Sequence, residues 1–140
     1  MVSQISLLLD TNIISELVKA KPHPHVLQQF QGYKQEIAIP SLVWHELRFG
    51  WLKMPDSKRK QSIGIFLYDV VSLLPILPYD TAAAKIHAEI RLEAQRIGQS
   101  LPFADGQIAA ITMSQGLSLV TRNTKDFELI RGLRLINWFE

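Results

Sequence analysis

Residues 5–12 read ISLLLDTN, a short apolar run that stops at an acidic residue followed by threonine and asparagine. A brief apolar run bounded by polar, turn-favouring residues is typical of a strand buried on both faces of a parallel sheet. The next segment, Thr11–Lys19, has apolar residues three and four positions apart, which predicts a helix. Asp10 is therefore expected at the carboxyl end of a strand, where parallel α/β sheets bind their ligands.

Strand and helix patterns alternate along the rest of the chain. The predicted strands are Ile5–Leu9, Glu36–Ile39, Ser72–Leu77, Leu117–Val120 and Leu133–Ile136. The predicted helices are Thr11–Lys19, His25–Gln31, Ser41–Met54, Lys58–Tyr68, Asp80–Gly98 and Ala104–Gln115. Such alternation predicts an α/β fold with a mainly parallel sheet. With no internal repeat or linker in view, residues 1–140 are interpreted as one domain.

Composition excludes several classes of protein. The chain has 47% hydrophobic and 20% charged residues, as ordinary globular domains do, and it has no cysteine. Disulfide scaffolds, zinc–thiolate sites and thiol nucleophiles are therefore excluded. The longest apolar stretch, Val70–Tyr79, is too short to span a bilayer. The N-terminal MVSQISLLLD lacks the basic region of a signal peptide, so we expect a cytoplasmic protein with no membrane association.

Four acidic residues lack an obvious basic partner among their predicted helical neighbours or lie in a polar loop: Asp10, Glu46, Asp105 and Asp126. Each has an ordinary explanation, namely a helix N-cap, an exposed helix flank, a favourable first-turn position and a surface loop. Their joint placement is more informative. Three of them follow predicted strands, and Asp105 begins a helix packed beside another strand. A parallel sheet would bring all four towards one edge.

Four carboxylates at one site repel one another unless a cation binds between them. Oxygen ligands select hard divalent ions, which points to Mg²⁺ or Mn²⁺. The chemistry indicated is metal-assisted hydrolysis of phosphodiester bonds. The overall charge is +2, but fifteen basic residues against the nine other acidic residues leave +6 for the remaining surface. That surface suits a phosphate backbone.

Four motifs occur in this order: LLLDTNIISEL (7–17), IPSLVWHELRFG (39–50), PFADGQIAAI (102–111) and LVTRNTKDFE (119–128). Together they resemble the PIN-domain ribonucleases, and most closely the VapC/FitB-like toxins of bacterial type II toxin–antitoxin pairs. The resemblance runs from Ile5 to Phe139. It implies a three-layer α/β/α sandwich with a mainly parallel central sheet. One departure from the family pattern is Gly106, where many relatives have alanine; a glycine in a first helical turn is tolerated.

The resemblance also implies a site and an activity. Its metal ligands and catalytic acids would be Asp10, Glu46, Asp105 and, more variably, Asp126. The supporting polar residues would be Thr11, Asn12, Thr121 and Asn123. The family cleaves RNA, often transfer or ribosomal RNA, with metal-activated water. Its toxins usually form homodimers and bind an antitoxin protein. A catalytically silent RNA- or protein-binding module of the same fold is the alternative.

Other residues permit weaker interpretations. Arg48, Arg122 and Lys125 could bind phosphates at the rim of the site or could be solvated surface charges. Glu16 lies six residues after Asp10 and could touch the acidic pocket, but a solvated helix residue is the expectation. The helix Ser41–Met54 is apolar around most of its circumference, which fits either a central core helix or a protein interface. The chain contains neither of the glycine-rich phosphate-binding patterns, so nucleotide-binding folds are disfavoured.

Overall fold

The structure is a computed structural model and describes residues 4–140. Residues 1–3 lie outside the described residues. They are the first residues of the single domain predicted over 1–140 and of the N-terminal segment MVSQISLLLD. The strands are β1 (Leu7–Leu9), β2 (Ile37–Pro40), β3 (Ile76–Leu77), β4 (Ser118–Val120) and β5 (Arg134–Ile136). The helices are α1 (Thr11–Leu17), α2 (Pro24–Gly32), α3 (Ser41–Lys53), α4 (Lys58–Asp69), α5 (Thr81–Arg96) and α6 (Phe103–Ser114). Two 3₁₀ turns cover Val71–Leu73 and Thr124–Phe127.

The five strands form one sheet in the order β3-β2-β1-β4-β5, and every neighbouring pair is parallel. The predicted α/β fold is confirmed. Leu8 pairs with Ala38 on one side and Leu119 on the other. Strand order reverses between β1 and β4, because the chain first builds outwards through β2 and β3 and then returns to the far side of β1. Crevices at such reversals are where open α/β sheets bind ligands.

The centre of the sheet is covered on both faces. Leu7, Leu8 and Leu9 point alternately to opposite faces, yet all three are buried. The surrounding core includes Ile13 and Ile14 of α1 and the Ile108–Ile111 stretch of α6. Helices therefore cover both faces of the sheet, giving three layers. No helix within residues 4–140 combines the length and apolar character that crossing a membrane requires.

One predicted strand is much shorter in the structure. The sequence pattern predicts one strand over Ser72–Leu77, but the first half of this segment lies in the 3₁₀ turn Val71–Leu73 and only Ile76 and Leu77 pair with β2. Pro75 separates the two halves and has no backbone N–H with which to extend the ladder. Its carbonyl still accepts a hydrogen bond from the Ile39 N–H at 3.0 Å.

Candidate functional site

Asp10 lies where β1 ends and α1 begins. Its backbone N–H donates to the Val120 carbonyl at 3.0 Å, which holds it beside the end of β4. Its side chain is the N-cap of α1: Oδ1 accepts from the Thr11 backbone N–H at 2.8 Å. The other oxygen, Oδ2, accepts from Thr121 Oγ1 at 2.9 Å and from Asn12 Nδ2 at 3.4 Å. The cap interpretation is thus correct, and the same carboxylate also faces the polar residues after β4.

Thr121 links these residues into a network. Its hydroxyl donates to Asp10 and accepts from the Asn123 backbone N–H at 3.1 Å and from Asn12 Nδ2 at 3.4 Å. Asn12 Oδ1 accepts from the Arg122 backbone N–H at 3.0 Å. Asn12 and Thr121 therefore act through their side chains, whereas Thr11 and Asn123 contribute backbone N–H groups. The network fixes the orientation of a carboxylate that is only 8% exposed.

Asp105 and Asp126 complete an acidic cluster with Asp10. Asp105 is the third residue of α6 and half-buried, and Asp126 is exposed in the 3₁₀ turn Thr124–Phe127. Burial raises the pKa of Asp10, although its hydrogen bonds oppose that effect, and the charge of Asp126 raises the pKa further. Burial also raises the pKa of Asp105, and the charges of Asp10 and Asp126 add to the effect. The three carboxylates thus repel one another across a common space.

Glu46 is not joined to that cluster by any hydrogen bond among the described residues. It is exposed on α3 and makes no hydrogen bond or ion pair within residues 4–140. In the same range, no three His, Cys, Asp or Glu side chains stand close enough to hold one metal ion. The structure therefore brings Asp10, Asp105 and Asp126 together, whereas no contact among the described residues links Glu46 to them.

The three basic residues predicted as phosphate contacts are all exposed. Arg48 donates from Nε to the Tyr68 hydroxyl at 2.8 Å, which ties it to α4. The Arg122 guanidinium lies 4.4 Å from the centre of the Phe139 ring. Lys125 is adjacent to Asp126 in the same 3₁₀ turn. Arg122 and Lys125 thus lie in the segment after β4 that contains Asp126.

The expectation of a solvated Glu16 is wrong. Glu16 is only 6% exposed and accepts hydrogen bonds from Lys19 Nζ at 2.8 Å and from the His23 backbone N–H at 2.9 Å. The Lys19 bond and then the His23 bond lower the pKa of this carboxyl, which keeps it ionised. Its role is to fasten the loop between α1 and α2. The His23 contact joins residues seven positions apart, so helical spacing does not reveal it.

Sequence reasoning also missed the contact between His87 and Gly106. His87, on α5, is 2% exposed, and its Nδ1 lies 2.8 Å from the Tyr79 hydroxyl. Its Nε2 is buried without a hydrogen-bond partner, and burial lowers the pKa of the ring, as does the charge of Arg91. A Cβ atom at position 106 would lie 2.4 Å from that Nε2. Gly106 is therefore required for α5 to pack against α6 beside Asp105.

Comparison with known proteins now identifies the family. A match to the PIN domain family covers residues 7–133. The chain belongs to the PIN domain family. Among PIN-domain relatives, it is 36% identical to the VapC ribonuclease Y4jK of Sinorhizobium fredii, covering 96% of this chain and 98% of that protein. It is 34% identical to the tRNA(fMet)-specific endonuclease VapC of Shigella flexneri, with the same coverage.

Solved PIN-domain structures share the fold. FitAcB from Neisseria gonorrhoeae superimposes with a TM-score of 0.87 at 30% identity, covering 96% of this chain and 99% of that one. A toxin–antitoxin complex from Klebsiella pneumoniae gives a TM-score of 0.73 at 27% identity, with the same coverage. The resemblance inferred from the four sequence motifs is confirmed, as is the three-layer fold that it implied.

Proposed function

We propose that this chain is a metal-dependent endoribonuclease that acts as the toxin of a toxin–antitoxin pair. The observation that carries the proposal is the acidic cluster of Asp10, Asp105 and Asp126 at the strand reversal of a PIN-domain sheet. Two of its members are buried enough to raise the pKa of each carboxyl. Burial of carboxylates that repel one another destabilises the folded protein. A cation bound between them would offset that destabilisation.

The donor set of this cluster suits Mg²⁺ or Mn²⁺. All of its side-chain donors are carboxylate oxygens, and the chain contains no cysteine. Asp10 and Asp105 would hold the ion, with Asp126 and Glu46 as further ligands. Glu46, which is exposed on α3, would bind the ion directly or through one of the ion's waters. Burial and like charges raise the pKa of Asp10 and of Asp105, and a bound cation would offset both effects.

The chain's own residues then prepare the reaction. Thr121 and Asn12 hold Asp10 in one orientation, so that the carboxylate does not rotate away from the substrate. Arg122 and Lys125, both exposed in the segment that contains Asp126, would contact phosphates next to the bond that is cut. The metal ion, when bound, would supply a water of lowered pKa and neutralise charge that develops on the phosphate oxygens.

The relatives support a proposal for the substrate and the partner. The Shigella flexneri relative is named for cleavage of tRNA(fMet), and the Klebsiella pneumoniae structure is a toxin–antitoxin complex. We propose a structured RNA, such as tRNA, as substrate in the cytoplasm and a cognate antitoxin as partner. Exposed apolar side chains on α3 and α4, among them Phe49, Leu52 and Ile65, support a protein interface and a homodimer. We also propose that residues 1–140 form a single domain.

Cleavage assays with divalent metals test this function directly. Purified protein should cut tRNA in Mg²⁺ or Mn²⁺ and should lose that activity in excess EDTA. Electrophoresis of end-labelled RNA measures the rate and locates the cut. Undiminished cutting in EDTA would contradict the metal requirement. If a panel of RNAs is left intact and the metals do not alter the melting temperature, the silent binding module becomes the better account.

A further inference from the structure

We infer that a cleft beside Phe103 binds an unpaired RNA base next to the bond that is cut. The inference rests on the proposed ribonuclease function and names part of its substrate site. The cleft has a volume of about 290 Å³ and is lined by Arg91, Ala94, Gln95, Gln99, Ser100 and Leu101. Phe103 follows this lining in sequence and is the first residue of α6.

Phe103 presents an exposed aromatic ring that packs against His87. It remains 54% exposed although the chain buries most of its large apolar side chains. Its ring meets the edge of His87 at a centroid distance of 4.6 Å and an angle of 63°. His87 is in turn held by the Tyr79 hydroxyl at 2.8 Å. Unpaired RNA bases stack on aromatic rings of this kind, and a ring that is already fixed loses little freedom when it does so.

Arg91 adds a positive charge to that surface. Its guanidinium lies 5.4 Å from the centre of the Phe103 ring. Within residues 4–140 it forms no ion pair, whereas Arg96 on the same helix pairs with Glu93 at 2.8 Å. An arginine beside an aromatic ring can stack on a base or contact its phosphate. Its positive charge would also attract the phosphate backbone of RNA.

The lining of the cleft provides polar groups for the edge of a base. The side chains of Gln95, Gln99 and Ser100 make no hydrogen bond to another part of the described chain, so their donors and acceptors are available. Amide side chains can both donate to and accept from a base edge. A peptide would favour a more apolar groove. The combination of ring, cation and free amides favours RNA.

Chain connectivity places this cleft close to the acids. Leu101, which lines it, is four residues before Asp105, so their Cα atoms are separated by at most about 14 Å. A base in the cleft would therefore belong to a nucleotide near the phosphate held at the acidic cluster. Stacking there would select single-stranded loops over helical RNA, because a paired base cannot enter.

Binding of single-stranded RNA that contains 2-aminopurine tests the stacking site. The fluorescence of this base falls when it stacks, and EDTA prevents metal-dependent cutting during the titration. Wild-type protein and Phe103→Trp should quench the probe. Phe103→Leu, which still covers His87, should lose the quenching and bind about 5- to 100-fold more weakly. With metal present, the same variant should raise KM for RNA more than it lowers kcat.

Charge variants supply the matched comparison. Arg91→Gln should weaken RNA binding and reduce its dependence on salt. Arg96→Gln removes an equal charge from the same helix and should leave binding nearly unchanged. Equal quenching by wild type and Phe103→Leu, in protein that cuts RNA, would overturn the stacking site alone. The stacking site would also be overturned if Phe103→Leu impaired binding of a protein partner while its KM for RNA stayed unaltered. Wild-type protein that neither binds nor cuts RNA would overturn the proposed function as well.

Discussion

Replacing Asp105 with asparagine is expected to abolish RNA cleavage while raising the melting temperature of the metal-free protein. Loss of a carboxylate that acts on the transition state should lower the rate by about 10²-fold or more. The stability gain arises because Asp105 is desolvated and repelled by Asp10 and Asp126, and asparagine carries no charge. Thermal unfolding in EDTA and RNA cleavage in Mg²⁺ measure the two effects on the same protein.

The pH dependence of the Asp105→Asn effect has a definite sign. The pKa of Asp105 is raised in the folded state, so the folded chain holds this proton more tightly than the unfolded chain does. The wild type should therefore lose stability relative to the variant as pH rises from about 3.8, the ordinary value for this carboxyl, through its folded-state pKa. Above that range the difference should be constant.

Asp69→Asn is the control for this experiment. Asp69 is exposed at the end of α4 and precedes β3, so it lies towards the amino ends of the strands, away from the acidic cluster. Its replacement should leave both cleavage and melting temperature nearly unchanged. If Asp105→Asn lowers the melting temperature in EDTA at neutral pH, the carboxylate stabilises the fold, and the repulsion argument is wrong.

Gly106→Ala is expected to damage both stability and activity, although alanine is the better helix former. The new Cβ would lie 2.4 Å from Nε2 and 2.7 Å from Cδ2 of His87. The ring has little room to retreat, because Tyr79 and Phe103 hold it. Overpacking of this kind costs about 1–3 kcal/mol. A displaced α6 also shifts Asp105, and misplacement by about 1 Å can lower a rate by about 10²-fold.

Two further variants separate this mechanism from a general glycine effect. Gly50→Ala, in α3, places its Cβ where nothing lies within 4 Å, so it should stabilise the protein by about 0.5–1 kcal/mol. Adding His87→Ala to Gly106→Ala removes the clash and should restore part of the lost stability and cleavage. Denaturant unfolding of the wild type, Gly106→Ala, His87→Ala and the double variant measures the coupling between positions 87 and 106. Wild-type stability in Gly106→Ala would show that the helices adjust freely.

The sequence predicts this fold well where local patterns are decisive. Asp10 is expected at a strand end because an apolar run stops there, and the structure places it beside Val120. Features created by long-range packing are less accessible. Gly106 is a harmless departure by helix propensity alone, because its necessity depends on a ring nineteen positions earlier on α5. The expectation for Glu16 fails because, besides its bond to Lys19 on the same helix, Glu16 accepts from the His23 backbone N–H in the next loop.

The candidate site shows the same division. Polar residues after β1 and β4 can be assigned to one edge from the parallel strand pattern alone. The position of Glu46 depends on how α3 is tilted and rotated against the sheet, which sequence periodicity does not determine. The structure leaves this side chain exposed, with no hydrogen bond to the other acids among the described residues. Its role as a ligand stays a prediction.

Calorimetric titration of Mg²⁺ or Mn²⁺ into wild-type protein and Asp10→Asn tests the central claim most directly. We expect a saturable binding signal in the wild type. Protons should be released at pH values where the raised pKa leaves the Asp10 carboxyl partly protonated. We expect Asp10→Asn to lose most of that binding while remaining folded. Metal binding of equal strength in both proteins would contradict the account, because the acidic cluster would then not be the metal site.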